Sequence, residues 1–306
     1  MRRPRHPLRP LHKRRHPLLL RARSRPHRPH RPHRPHRPHH NVARQRLVKG
    51  GWTSPRSGRF CVQGKSGVVS GKGVGASLVV ANMITTPERI AIVGGHGKIA
   101  RLLIPILVSQ GHEVVALARR DEQLEHLATM GAIPQRLDIE TASEDDFAAA
   151  FGRSSAVVFA AGGGGDGDID RKRTVDLGGS LKSIAGAHTS GAHRFVQISA
   201  MGVDNPVPDD TSGSWAAYVA AKRDADAALR ASELAWTIIR PGGLTDDDAS
   251  GHVTLDTEVE RGTVPRADVA AVIAAALRMP ESAGHQWELI SGPTPVDEAV
   301  RESSAS

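Results

Sequence analysis

From Arg89 onward the apolar residues switch repeatedly between two periods, and that alternation limits the possible fold more than any other feature of the chain. Arg89-Ile90-Ala91-Ile92-Val93 is a short β-branched run stopped by Gly94-Gly95, the pattern of a strand buried on both faces of a sheet. Ile99, Leu102, Leu103, Ile106 and Leu107 then recur at helical spacing, one face of a helix that stops at Gly111, with Pro105 inside it as an expected kink. The same exchange predicts strands at 113–118, 133–137, 156–161, 195–199, 236–240 and 286–290. Helices are expected at 122–129, 144–151 and 215–232, and over a last stretch in which Val269, Val272, Ile273, Ala276 and Leu277 share a face. This is the signature of a single doubly wound α/β domain: a parallel sheet, helices on both faces, right-handed crossovers. Ligands of such sheets bind off the carboxyl ends of the strands, so a site is expected at the loops beginning near Gly94, Arg119, Asp138, Ala160, Ser199 and Pro241.

Charge divides the chain just before that alternation begins. All 32 acidic residues lie from Glu88 onward, whereas 21 of the 41 Lys+Arg, 9 of the 16 His and 11 of the 20 Pro precede it. The net charge of +9 therefore belongs to a tail, and the domain itself is acidic. Residues 1–87 read as a disordered Arg/Pro/His-rich segment and residues 88–306 as the domain. Residues 25–39 are five Arg-Pro-His triplets, which favour polyproline II with successive imidazoles roughly 9 Å apart, too far for one metal ion. No metal is expected. The tail would adsorb nucleic acid only non-specifically. Met83 stands immediately before the first strand-like run, so the segment before it reads as upstream sequence with translation starting at Met83. A single cysteine, Cys61, excludes an intramolecular disulfide framework and points to the cytoplasm. No apolar run approaches the length of a membrane span.

The chemistry-bearing motif is Gly94-Gly95-His96-Gly97-Lys98-Ile99-Ala100, which follows the first strand and opens the first helix. Glycine permits a tight turn and a close approach of backbone to a diphosphate, and a helix N-terminus offers unpaired N–H groups and the positive end of a dipole. With the strand before it and the helix after it, the motif reads as a dinucleotide-binding bend of the Rossmann type. Arg119-Arg120 stand where a ribose-reading carboxylate is usual, and a guanidinium there can pair with a 2′-phosphate. NADP(H) is therefore preferred. NAD(H) stays open, because Asp121 or Glu122 could bind a 2′-hydroxyl.

Residues from about Arg89 to Asp297 resemble the short-chain dehydrogenase/reductase superfamily, in particular its atypical, extended-like NAD(P)-binding members, among them the epimerase/dehydratase-like proteins. The resemblance rests on GGHGKIA at 94–100, Leu137-Asp138-Ile139, VVFAAGG from Val157, FVQISAMGVD from Phe195, Tyr218-Val219-Ala220-Ala221-Lys222 and Arg240-Pro241-Gly242-Gly243-Leu244. It implies that Asp138 contacts adenine, that the backbone at Ala160, Ala161 and Gly162 lies against the coenzyme, and that the Pro241-Gly242 turn borders nicotinamide. It also places Asp176 where related enzymes often carry an asparagine that holds a helix-bound water.

Tyr218 and Lys222, four residues apart, share a helix face, so an ammonium beside the phenol is expected to favour phenolate and make Tyr218 an acid/base group. Ser199 ends the fifth strand and could polarise a substrate oxygen, although Ala200 follows where many relatives have a second serine. His96 could touch the diphosphate, His112, His126, His188 and His193 read as surface groups, and Asp246-Asp247-Asp248 reads as a solvated turn. The segment from Thr245 to Val264 and the C-terminal elements must supply most of a pocket, which argues for a compact substrate. The sequence thus points to an NADP(H)-dependent oxidoreductase acting on a small carbonyl or related group. An epimerase or dehydratase, and a redox sensor that binds NADP(H) without turnover, are the alternatives.

Overall fold

The computed structural model describes residues 86–165, 167–208 and 210–306. The basic tract, Cys61 and the Met83 start lie outside the described residues. The chain enters β1 (Arg89–Val93), turns through the glycine bend into α1 (Lys98–Ser109), and continues as β2 (Glu113–Ala118), α2 (Asp121–Thr129), β3 (Ile133–Arg136), α3 (Glu144–Phe151) and β4 (Ala156–Phe159). A helical stretch follows in three parts: α4 (Ile169–Arg171), a π-helical turn (Lys172–Leu177) and α5 (Gly178–Ser190). Then come β5 (Arg194–Ile198), α6 (Gly213–Arg230), β6 (Ala235–Pro241), β7 (Gly243–Thr245), β8 (His252–Asp256) and β9 (Thr263–Pro265). The chain closes with α7 (Arg266–Arg278), β10 (His285–Ser291), β11 (Thr294–Pro295) and α8 (Val296–Ser304).

Nine of these strands form one sheet in the order β11-β8-β10-β6-β5-β4-β1-β2-β3. From β3 to β10 every pair is parallel, and β8 runs antiparallel to both β10 and β11. The order 3-2-1-4-5-6 reverses direction between β1 and β4, which opens a crevice above their carboxyl ends. β7 and β9 pair separately as a short parallel ribbon.

Alternation along β1 builds the two halves of the core. Ile90 and Ile92 join α1, α7 and α8 on one side, while Ala91 and Val93 join Phe147 and Phe151 of α3, with Ala187 and Leu229, on the other. In α1 the buried stripe is Ala100, Leu103, Ile104 and Leu107, with Ile99 at its start. The expected face included Leu102, which is 40% exposed instead. Ala100, fully buried, packs in the same core cluster as Ile90 and Ile92 of β1. Pro105 falls on the exposed side, and α1 runs through it without ending. Pro134 sits in β3, an edge strand, where a missing N–H is tolerated.

The sequence patterns miss the helix between β4 and β5, where glycines at 178, 179 and 186 depress helical propensity, and they also miss the terminal α8, a helix of nine residues. The structure shows what two of those glycines do. A methyl group on Gly179 would lie 2.5 Å from Ile139 Cγ2, and one on Gly186 would lie 2.7 Å from Phe147 Cβ and 3.0 Å from the Ala148 nitrogen. Among the described residues no helix is long and apolar enough to cross a membrane. Gly186→Ala tests whether packing or propensity governs α5. Propensity alone predicts a gain of about 1 kcal/mol, whereas overpacking predicts a loss of about 1–3 kcal/mol. We expect the loss, read as a lower urea midpoint at unchanged m value.

Candidate active site

The bend at residues 94–97 is shaped by what surrounds it. Gly94 has φ +78°, and a methyl group on it would lie 2.7 Å from Ala161 Cα, so the ends of β1 and β4 touch through a position only glycine can fill. Gly97 N–H donates to the Gly94 carbonyl at 2.8 Å, and Gly95 N–H donates to the Leu117 carbonyl at 2.9 Å, locking the bend onto β2. Helix α1 begins with no side-chain cap and no acidic residue in its first turn, leaving its N-terminus electropositive. A backbone cradle that excludes side chains, joined to an uncapped helix end, fits the diphosphate expected from the motif.

Beside the bend runs a cleft of ≈ 250 Å³ whose wall includes Gly94, His96, Gly97, Arg119, Asp138, Ile139, Ala160, Ala161 and Gly162. Gln123, Glu140, Arg171 and Val175 complete its polar rim and floor. Arg119 faces Glu140 across the mouth at 3.7 Å. Asp138 accepts the Glu140 N–H at 3.1 Å through its side chain, so it shapes the turn while lining the cleft. Arg120 is exposed at the start of α2. The expected coenzyme residues therefore converge, with three qualifications. Ile99 turns its side chain into the core. Lys98 directs its ammonium to Asp246 at 2.6 Å. Pro241 and Gly242 stand at the end of β6, where a methyl group on Gly242 would meet the Gly262 carbonyl oxygen at 2.4 Å.

The three catalytic candidates on or beside α6 are brought together by the π-helical turn. Asp176, 1% exposed, accepts the Gly163 N–H at 2.8 Å and lies 3.4 Å from the Lys222 ammonium. Lys222 also donates to the Ile198 carbonyl at 3.1 Å. A methyl group on Gly163 would sit 2.9 Å from Asp176 Oδ2, and one on Gly162 3.3 Å from Oδ1, so the pair abuts the Gly162 wall of the cleft. A π turn widens the helix by one residue, which is how Asp176 reaches inward here. The Tyr218 ring has the Lys222 and Lys172 ammoniums at 5.9 and 5.5 Å from its centroid and the Trp215 ring at 5.3 Å.

The expected shift of the phenol toward phenolate is corrected. Burial pushes Tyr218 well above the ordinary phenol range, and the carboxylates of Asp176 and Asp226 push it the same way. The Lys222 charge is already balanced by Asp176, so it does not offset the loss of solvent. Ser199 is also more constrained than a free substrate anchor. It is 4% exposed, and its hydroxyl donates to Asp226 at 2.7 Å. Asp226, fully buried, accepts further bonds from Gln197 at 2.7 Å and Arg240 at 2.9 Å, and Arg240 reaches Asp204 at 2.6 Å. Asp226 continues the Tyr218, Lys222 face at the next i+4 step of α6, a spacing the sequence displayed. Lys172 and Trp215 gave no sequence signal. Asp246, read as solvated, pairs with both Lys98 and Arg266 at 2.6 Å, and these two cations hold its carboxyl below the usual range.

A glycine bend at the switch point of a 3-2-1-4-5-6 sheet, beside a Tyr-Lys-Asp cluster, defines a dinucleotide-binding protein of the oxidoreductase and epimerase type. Residues 94–280 match the NAD(P)H-binding family model, and the chain belongs to that family. It is 34% identical over 215 residues to the uncharacterised sugar epimerase YhfK of Bacillus subtilis, covering 70% of this chain and 99% of that protein. A solved structure from Bacillus halodurans, assigned as an NAD-dependent epimerase/dehydratase, is 35% identical with a TM-score of 0.65, covering 70% of this chain and 99% of that one. ChuY of Escherichia coli O157:H7, an anaerobilin reductase, is 25% identical with a TM-score of 0.54, covering 67% of this chain and all of that one (100%).

The buried network under the cluster yields a stability prediction. Asp226→Asn removes the charge that faces buried Arg240 and should cost about 3 kcal/mol in chemical denaturation. A change below about 0.5 kcal/mol would show that Asp204 alone balances Arg240.

Proposed function

We propose that the protein is an NADP(H)-dependent oxidoreductase that moves hydride to or from a small carbonyl compound, with Tyr218 as the proton donor. The observation that carries this reading is the convergence of Tyr218, Lys222 and Asp176 beside the Gly162 wall of the cleft. When bound, nicotinamide supplies or accepts the hydride.

Because Tyr218 is held well above the ordinary phenol range, it is the neutral acid at physiological pH, the form that carbonyl reduction requires. In that direction Tyr218 Oη gives its proton to the carbonyl oxygen as the carbon gains hydride. The C=O π bond becomes C–O–H, and the phenolate regains a proton from solvent. Lys222, fixed by Asp176 and the Ile198 carbonyl, holds positive charge below the ring as the phenolate forms. Asp176 in turn orients Lys222 and the loop at Gly163. The anaerobilin reductase activity named for ChuY supports the reductive reading. The name of the Bacillus subtilis relative supports epimerisation as the second reading, in which the same tyrosine would serve an oxidation followed by a reduction. Preference for NADP(H) is supported by Arg119 on the cleft wall and Arg120 beside it, where a 2′-phosphate would find planar cationic partners.

Tyr218→Phe should lower turnover by at least about 100-fold while coenzyme affinity stays within about threefold, measured by NADPH oxidation across aldehydes, ketones and quinones and by fluorescence titration. Turnover that survives the substitution would refute the role of the phenol. In the reductive direction the wild-type rate should show no alkaline fall below about pH 10, since the raised phenol remains protonated there. Arg119→Ala with Arg120→Ala should weaken NADPH about tenfold or more and NADH far less. Equal weakening of both would remove the arginines from the 2′ position.

A further inference from the structure

One pair of side chains at the coenzyme cleft has no role in the chemistry above. His96 in the glycine bend and His126 on α2, 30 positions apart, meet with Nε2 and Nδ1 at 3.0 Å. Their rings lie edge to face, centroids 5.2 Å apart. His96 lines the cleft together with Arg119 and Gln123. Gln123 and His126 are three apart on α2 and so share the face turned toward that cleft. This face follows β2, where groups that read the ribose 2′ position stand in dinucleotide-binding sheets.

The bond between the rings holds one proton. In the neutral pair the two remaining nitrogens, His96 Nδ1 and His126 Nε2, carry one proton between them, so one is a donor and the other an acceptor. One further proton makes both of them donors and spreads positive charge over the two rings. A dianion needs donors only. In the free protein that extra proton is disfavoured: burial, then Arg101, His126 and Arg120, hold His96 below the ordinary imidazole range. These groups come from α1, from α2 and from the turn that precedes α2, and no carboxylate is among them. A phosphate arriving among Arg119, Arg120 and the pair reverses this balance and draws the proton in.

We propose that the His96–His126 pair is a proton-gated reader of the ribose 2′-phosphate, which makes selection of NADP(H) over NAD(H) strengthen as the pH falls from about 8.5 to about 6.5. The inference rests on the NADP(H) reading above and adds to it a specificity-determining pair.

The test is fluorescence titration of the full chain with NADPH and with NADH at both pH values, for wild type, His126→Gln and His126→Lys. In wild type the ratio of NADPH to NADH affinity should rise about tenfold on acidification. In His126→Gln, which can bond to His96 but cannot take the proton, the ratio should stay flat and low. In His126→Lys, with its fixed charge, it should stay flat and high. The phosphate's own titration near pH 6 is common to all three proteins and cancels in the comparison. A rise that persists undiminished in His126→Gln overturns the proposal, as does an equal gain for NADH, which would place the pair at the diphosphate shared by both coenzymes. Failure of the underlying reading looks different: neither coenzyme binds, or NADH binds more tightly at every pH, and either result discards the coenzyme assignment together with the pair. His126 is exposed, and a thermal melt verifies that both variants fold.

Discussion

The contact between Gly94 and Ala161 is the constraint on which the site depends. β1 and β4 are neighbours in the sheet, and the crevice above them exists because the chain leaves one in each direction. Their ends approach so closely that a single methyl group at 94 would overlap the backbone of Ala161. That approach places the α1 N-terminus over the sheet. It also puts the Gly162 to Gly163 backbone against the π-helical turn, where Asp176 accepts a bond from it. The glycine bend and the cluster of Tyr218, Lys222 and Asp176 thus flank one short loop.

Beneath the cluster the sheet carries an unusual amount of buried polarity for a core built from Val, Ile and Ala. Asp226, Arg240, Gln197 and Ser199 satisfy one another across β5, β6 and α6. Breaking such a set costs far more than its net contribution to stability, because a partner left behind is a charge without water. The geometry gives α6 a fixed rotation: Asp226 is anchored from below, and Lys222 and Tyr218, one and two turns earlier, are presented upward with little freedom. Arg194 plays a comparable part further along β5. It donates to Thr237, Ser282 and main-chain carbonyls, with no bonded carboxylate among the described residues, and burial pushes it down to about 10. There it ties β5 and β6 to the turn after α7.

How much of this could be read from the sequence follows from the range of each interaction. Strands β1, β2, β4, β5 and β6 and the glycine bend are local patterns, and each was visible as a run, a stop and a change of period. The family resemblance followed from those same runs. The helix after β4 was hidden because Gly179 and Gly186 serve packing against Ile139 and Phe147, residues far away in the chain. Strands β7, β9 and β11 are two or three residues long, too short for a period to show, whereas β8 is as long as β1 and displays an alternation that buries Val253 and Leu255. At the site, the Tyr218, Lys222 and Asp176 candidates were legible through spacing and motif, but their electrostatics were not. The direction of the Tyr218 shift is set first by burial and then by the carboxylates of Asp176 and Asp226, surroundings that tertiary packing assembles and no helical period encodes.

The two ends of the cleft differ in how their charges are enclosed. Beside the proposed catalytic cluster the charges are paired and buried: Asp176 faces Lys222, and Asp226 faces Arg240. At the end proposed to hold the ribose, Arg119 and Arg120 are exposed. Screening weakens exposed charges and leaves enclosed pairs intact. If the proposed function holds, ionic strength should therefore act chiefly on which coenzyme is held and only weakly on the proton transfer that follows.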